Sequence, residues 1–193
     1  EPMWHPCWNP LWEAVNEVQL PLHFHTFPTT SPRAREMTSD HVRRAAMFTG
    51  VSAFQMGLIH ILAAMMGAGV FARYPEMKVS FGESGAGWIP YALDRMDFEF
   101  EDRFRDLMQL KPSEYWQRQC KATFQYDPIA PILLNARNLM SEDTLMWGSD
   151  YPHTDGIWPE SGKYIDEQFA DLTAAQIQKI TCDNAVEFYN LAN

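Results

Sequence analysis

The stretch TLMWGSDYPH, residues 144–153, closes an apolar run on an Asp, then a Tyr-Pro turn, then a His. An apolar strand needs no carboxylate at its end, and a charge drawn out of water is costly without a partner. Either Asp150 is a loop-initiating turn residue before Tyr151-Pro152, or the rest of the chain supplies that partner.

Working outward, three further runs read as strands. LPLHFHTF (20–27) alternates apolar and polar positions, EMKVSFGE (76–83) ends in a second carboxylate, and QCKATFQYD (119–127) is the third. Helical periodicity lies between them. PLWEAVNEVQ (10–19) leads into the first strand, and a polar Pro/Thr/Ser loop at 28–39 follows it. Asp40 stands where an N-cap would start a long apolar helix. SGAGWIPYALDRMDFEFEDRFRDL (84–107) is helical after a Gly-rich turn, and a helix through about Asn138 is expected after the third strand. After the fourth come a loop, a helix from Thr173 to about Thr181, and a last helical turn at NAVEFYNLA. Strands alternating with helices imply βαβ units and a parallel sheet. Four such units in 193 residues fall short of an eight-stranded barrel, which takes about 250 residues. Half a barrel or a small open sheet is expected, as one domain over 1–193.

Composition narrows the function classes. The chain is 46% hydrophobic and 13% aromatic, hence globular. A formal charge of -10 argues against a nucleic-acid partner, which calls for a basic face. Cys7, Cys120 and Cys182 are odd in number and lack metal-type spacing, as in reduced, cytoplasmic proteins. The start, EPMWHPCWNP, has no signal-peptide pattern and no initiator Met, so a chain beginning inside something longer is expected. Residues 45–72 carry no Asp, Glu, Lys or Arg and are long enough to cross a bilayer. Thr49, Ser52, Gln55 and His60, with no basic cluster after the run, favour a buried helix at a subunit interface, spanning 40–72.

Candidate chemistry gathers at the strand ends. His23 and His25 are two apart, so both rings leave one strand face, as a divalent metal such as Zn, Fe or Mn requires. The plain alternative is a core His bonded to a carbonyl. Glu83, followed by small residues, could approach a ligand closely, or could serve only the first turn of the next helix. GxxGxG in this turn is not a dinucleotide fingerprint, and Trp88 would crowd a pyrophosphate. Asp150 offers a hard oxygen ligand or a base. All sit at the carboxyl ends of expected parallel strands, where active sites of such sheets collect.

LPLHFHT, ARYPEMKVSFGESGAGWIPYALDRMD and LMWGSDYPH, in that order, with DNAVEFYNL at the close, resemble the later half of the amidohydrolase-2 family. These are (β/α)8 TIM-barrel enzymes related to aminocarboxymuconate-semialdehyde decarboxylase. The resemblance covers nearly the whole chain and implies strands 5–8 of the barrel. It implies a divalent metal, Zn first and Mn or Fe next, held by an His-x-His pair on strand 1, a His on strand 5 and an Asp on strand 8. His25 is similar to the strand-5 ligand and Asp150 to the strand-8 ligand. Glu83 stands where the family carries a catalytic strand-6 His, and a carboxylate there could still act as acid or base. His153, in the loop after strand 8, is placed to touch substrate, as are His23, Trp88 and Tyr151. About 125 residues separate HFH from Asp150, too few for HFH to be the strand-1 pair.

The implied activity is that of a metal-dependent decarboxylase or hydrolase acting on a small aromatic or unsaturated carboxylic acid or its amide. The implied partners are a small-molecule substrate and either a second copy or the missing N-terminal half, with no nucleic acid and no membrane. The alternative is a catalytically incomplete half-barrel that serves as a dimerising interaction module.

Overall fold

Four short runs, Leu22–His25 (β1), Val79–Gly82 (β2), Cys120–Phe124 (β3) and Leu145–Trp147 (β4), pair side by side, all parallel, in the order β1-β2-β3-β4. This architecture comes from a computed structural model that describes residues 1–26, 38–154 and 156–191. The polar loop expected at 28–39 falls almost wholly outside them.

Register explains which side chains meet. Phe24, Phe81, Ala122 and Leu145 form one row across the sheet. Phe81, Ala122 and Leu145 in that row are fully buried. Phe81 stacks on Trp116, and Phe124 on the same face meets Phe169 edge-on, so this face carries the helices. The side-chain period of two turns the alternate residues His23, His25, Lys121 and Thr123 to the other face.

The helices follow from local signals. Asn9–Val18 (α1) buries Trp12 and ends at Gln19 in the left-handed region. The long apolar segment is Asp40–Ala53 (α2), a 3-10 turn at Phe54–Gly57, and Leu58–Gly67 (α3). Its cap is Ser39, not Asp40: the Ser39 hydroxyl accepts from the Val42 amide at 3.2 Å, while Asp40 pairs with Arg43. Leu62, Met65 and Met66 of α3 are buried in the core, each worth roughly 1.5–3 kcal/mol. By contrast α2 buries nothing, and its Met47 and Phe48 are 70% and 72% exposed. Together Asp40–Gly67 is long and apolar enough to cross a membrane by length and composition.

Val70–Arg73 (α4) leads to β2, and Ile89–Glu99 (α5) follows it. Pro112–Gln119 (α6), starting on a Pro that needs no amide partner, precedes β3 and was not expected from the sequence. The helix expected after β3 is absent. Residues 131–138 form two 3-10 turns, and Asn135, Arg137 and Asn138 have positive φ, which a regular helix excludes. Ser161–Gln168 (α7) lies inside what reads as loop. Ala174–Gln178 (α8), with a Thr173–Gln176 capping box, runs into Asn184–Phe188 (α9). Asn184 donates to the carbonyls of Glu142 and Leu145 at 2.7 Å, and Lys78 to those of Glu187 and Phe188. These bonds tie α9 to the amino ends of β4 and β2, opposite the carboxyl ends.

Candidate active site

At the carboxyl ends of all four strands lies a cavity of about 210 Å³ lined by His25, Glu83, Thr123, Gln125, Gly148 and Asp150, among others. Two of the lining residues depart from ordinary strand geometry. Glu83 follows Gly82, which shares a row with His25, so strict alternation would turn Glu83 towards the helices. Its φ of 54° breaks the alternation and brings its carboxylate to His25. Asp150 has φ 59°. Left-handed backbone at non-glycine residues stores about 1–3 kcal/mol each and clusters at functional sites.

Asp150 is fixed by the loop behind it. The His153 amide donates to the Asp150 carbonyl at 2.8 Å and the Ile157 amide to the Ser149 carbonyl at 3.0 Å. A Cβ on Gly156 would stand 2.8 Å and 2.9 Å from those same two carbonyl oxygens, so this return path needs glycine. The loop thereby delivers His153, whose Nδ1 lies 3.3 Å from Asp150 Oδ2 and 3.9 Å from Glu83 Oε1.

Donor atoms of Glu83, Asp150 and His153 all lie within 4.8 Å of one another. Donors 2.0–2.2 Å from one cation stand at most about 4.4 Å apart, so a few tenths of an ångström of closure would suffice. Among the described residues, Asp150 Oδ2 is buried and accepts no hydrogen bond, with the His153 ring 3.3 Å away as an ion-pair partner when protonated. A buried carboxylate oxygen without a hydrogen bond among the described residues, close to a second carboxylate and a His ring, fits a cation between them. His25 completes the group from behind: its Nε2 meets Glu83 Oε2 at 2.8 Å, and its Nδ1 lies 2.5 Å from the Thr26 carbonyl. Nε2, the nitrogen a metal would use, here donates to the Glu83 carboxylate, so a cation would take the place of that proton. The carboxylates are the sheltered members, with Glu83 11% and Asp150 27% exposed.

Thus His25, Glu83, Asp150 and His153 come together at this cavity. Three other residues expected near substrate do not. His23 shares the strand face of His25, but two residues of strand set it about 6.6 Å further down. There its ring stacks on Tyr189 and meets Phe188 edge-on, and burial lowers its pKa. Trp88 packs against the core and donates from Nε1 to the Ser84 carbonyl at 2.9 Å. Tyr151 points outward and meets Trp158 edge-on. The sequence reading missed Thr123, whose hydroxyl accepts from the Glu83 amide at 2.9 Å, and Asp127 beyond it. The rule that selected Asp150, a polar residue at a strand's carboxyl end, would have found both.

Solved structures share this fold. An amidohydrolase from Mycobacterium avium subsp. paratuberculosis superposes with a TM-score of 0.73 at 22% identity, covering 98% of this chain and 46% of its own. A dihydroxybenzoic acid decarboxylase from a Polaromonas species, with bound manganese and the inhibitor 2-nitroresorcinol, gives 0.69 at 20%, covering 94% and 53%. At such identities the likeness is one of fold. In sequence, the 2-amino-3-carboxymuconate-6-semialdehyde decarboxylase of Dictyostelium discoideum is 31% identical over 137 residues, 67% of this chain and 36% of that protein. The chain therefore spans about a third of that relative and about half of the solved ones. The amidohydrolase family model matches residues 2–191. The chain belongs to the amidohydrolase-2 family.

Proposed function

We propose that residues 1–193 are the strand-5-to-8 half of an amidohydrolase-type (β/α)8 barrel, carrying half of a metal-dependent decarboxylase site. The observation that carries this reading is the convergence of Glu83, Asp150 and His153 beside His25, with one buried Asp150 oxygen that accepts no hydrogen bond among the described residues. His25 and Asp150 would hold the cation, Mn or Zn, with Glu83 and His153 beside it. When bound, the cation supplies Lewis-acid polarisation of a carboxylate or carbonyl.

The chain's own groups supply the rest. Glu83 and Asp150 are the two carboxylates able to hold or move a proton at the cavity, as decarboxylation requires at the carbon losing CO₂. His153, on the exposed loop, is placed to meet the anionic end of a small aromatic or unsaturated carboxylic acid. The decarboxylase relative and the manganese-bearing decarboxylase of like fold support a carboxy-lyase over an amide hydrolase. The outer edges of β1 and β4 would pair with strands 4 and 1 of a first barrel half. The exposed α2 face would pair copies in the cytoplasm, where Cys7, Cys120 and Cys182 stay free.

The test is a panel of aromatic and unsaturated carboxylates with Mn²⁺, followed by ultraviolet absorbance and CO₂ release. The first half of the barrel is supplied as a second polypeptide. Turnover with CO₂ release, abolished in Asp150→Ala, is the expected result. Amide or ester cleavage without CO₂ overturns the decarboxylase reading.

A further inference from the structure

The turn that aims Glu83 has no cap of its own. Helix α5 begins just after it with Trp88 in the N-cap position and no side-chain cap bond. A remote residue does the work. Asp127, three residues past β3, accepts from the amides of Ala86 and Gly87 at 2.7 Å and 2.8 Å through Oδ2. Its Oδ1 accepts from the amides of Ile129 and Ala130, both at 3.2 Å. One carboxylate thus joins the turn after β2 to the turn after β3. Fit around it is close: Gly85 has φ 62°, and a Cβ there would stand 3.2 Å from Asp127 Oδ2. On its other side the turn is held by β3, where the Thr123 hydroxyl takes the Glu83 amide and the Thr123 carbonyl takes that of Ser84.

Glu83 sits in a backbone conformation that surrounding contacts must enforce. The only charged side chain seen to bond the turn 84–88, among the described residues, is Asp127. We propose that Asp127 is a positioning residue for Glu83. By fixing the 84–88 turn, it holds the Glu83 carboxylate against His25 and towards Asp150 and His153. This rests on the metal-site reading above, and deepens it. Asp127 itself does not line the cavity and touches no reacting atom.

Two measurements on the full chain test it. The first is Mn²⁺ titration by calorimetry of the unaltered protein, Glu83→Gln, Asp127→Ala and the double variant. Asp127→Ala is expected to weaken Mn²⁺ binding about tenfold, Asp127→Asn less because it keeps one accepting oxygen. Since the effect passes through Glu83, Asp127→Ala should add little in the Glu83→Gln background. The second is hydrogen exchange, in which Asp127→Ala should lose protection at 84–88 and 129–130 and keep it in β1 and α3. Unchanged affinity with unchanged exchange overturns the proposal, as does full additivity, or loss of protection across the whole chain. Should the unaltered chain take up no Mn²⁺, the metal reading fails by itself. Exchange then decides alone: local loss supports the positioning role and retained protection overturns it. If Asp127→Ala does not fold, Asp127→Asn carries the same comparisons.

Discussion

Glu83 and Asp150 both line the cavity with left-handed backbone and, in Asp150, a buried oxygen that accepts no hydrogen bond among the described residues. Both features oppose folding, so removing the charge should relieve the apoprotein. Asp150→Asn keeps a residue type that tolerates positive φ and removes one of two like charges. The metal-free variant is expected to melt at the same temperature or higher, while its Mn²⁺ affinity falls, a trade typical of functional sites. A clear drop in melting temperature would mean the carboxylate is structural. Gly156→Ala would press a methyl on the Ser149 and Asp150 carbonyls. A loss of roughly 1–3 kcal/mol is expected, seen as about 2–4 °C of melting temperature for each kcal/mol. At this scale the sequence was informative where a residue ends a strand, as Asp150, Glu83 and His25 do. It misled at His23, because a shared face says nothing about depth along the strand. It passed over Asp127, which also closes an expected strand run, because the bonds that give it a role join two loops.

Among the elements, the four strands were legible because buried parallel strands read as apolar runs. Each strand falls inside its expected run and is shorter at one or both ends, and all four pair parallel. Residues 128–138 failed as a helix: Pro128 and Pro131 break it, and Asn135 and Asn138 take the left-handed turn that Asn tolerates. Helices α6 and α7 are eight residues each. So short a segment carries barely two turns of periodicity and is stabilised by packing rather than propensity. The long apolar segment proves to be two helices with different surroundings. Leu62→Ala in α3 should cost about 2–5 kcal/mol by emptying core volume. Phe48→Ser in α2, measured where the chain is monomeric, should stay within about 0.5 kcal/mol, since no described residue covers that side chain. Denaturant unfolding of both separates the cases, and equal destabilisation would contradict the division at the 3-10 turn.

For the whole molecule, four parallel strands carry helices on one face and mostly polar side chains on the other, the fold shared with the solved amidohydrolase-type structures. Unit counting, four βα units in 193 residues, pointed to a parallel α/β sheet, and the sheet is parallel with its strands in sequence order. The relatives of like fold are about twice as long. The carboxyl ends of the strands gather the candidate donors, while α9 closes the opposite ends, so chemistry and stability occupy different poles, as in barrels generally. The account's central claim is that His25 and Asp150, distant in sequence, serve one cation. Metal analysis of the purified chain after Mn²⁺ loading tests it most directly, with His25→Ala and Asp150→Ala in parallel. One ion per chain, lost in each variant while the fold is retained, is the expected result. Stoichiometric metal that survives either substitution, or none in the unaltered chain, would contradict it.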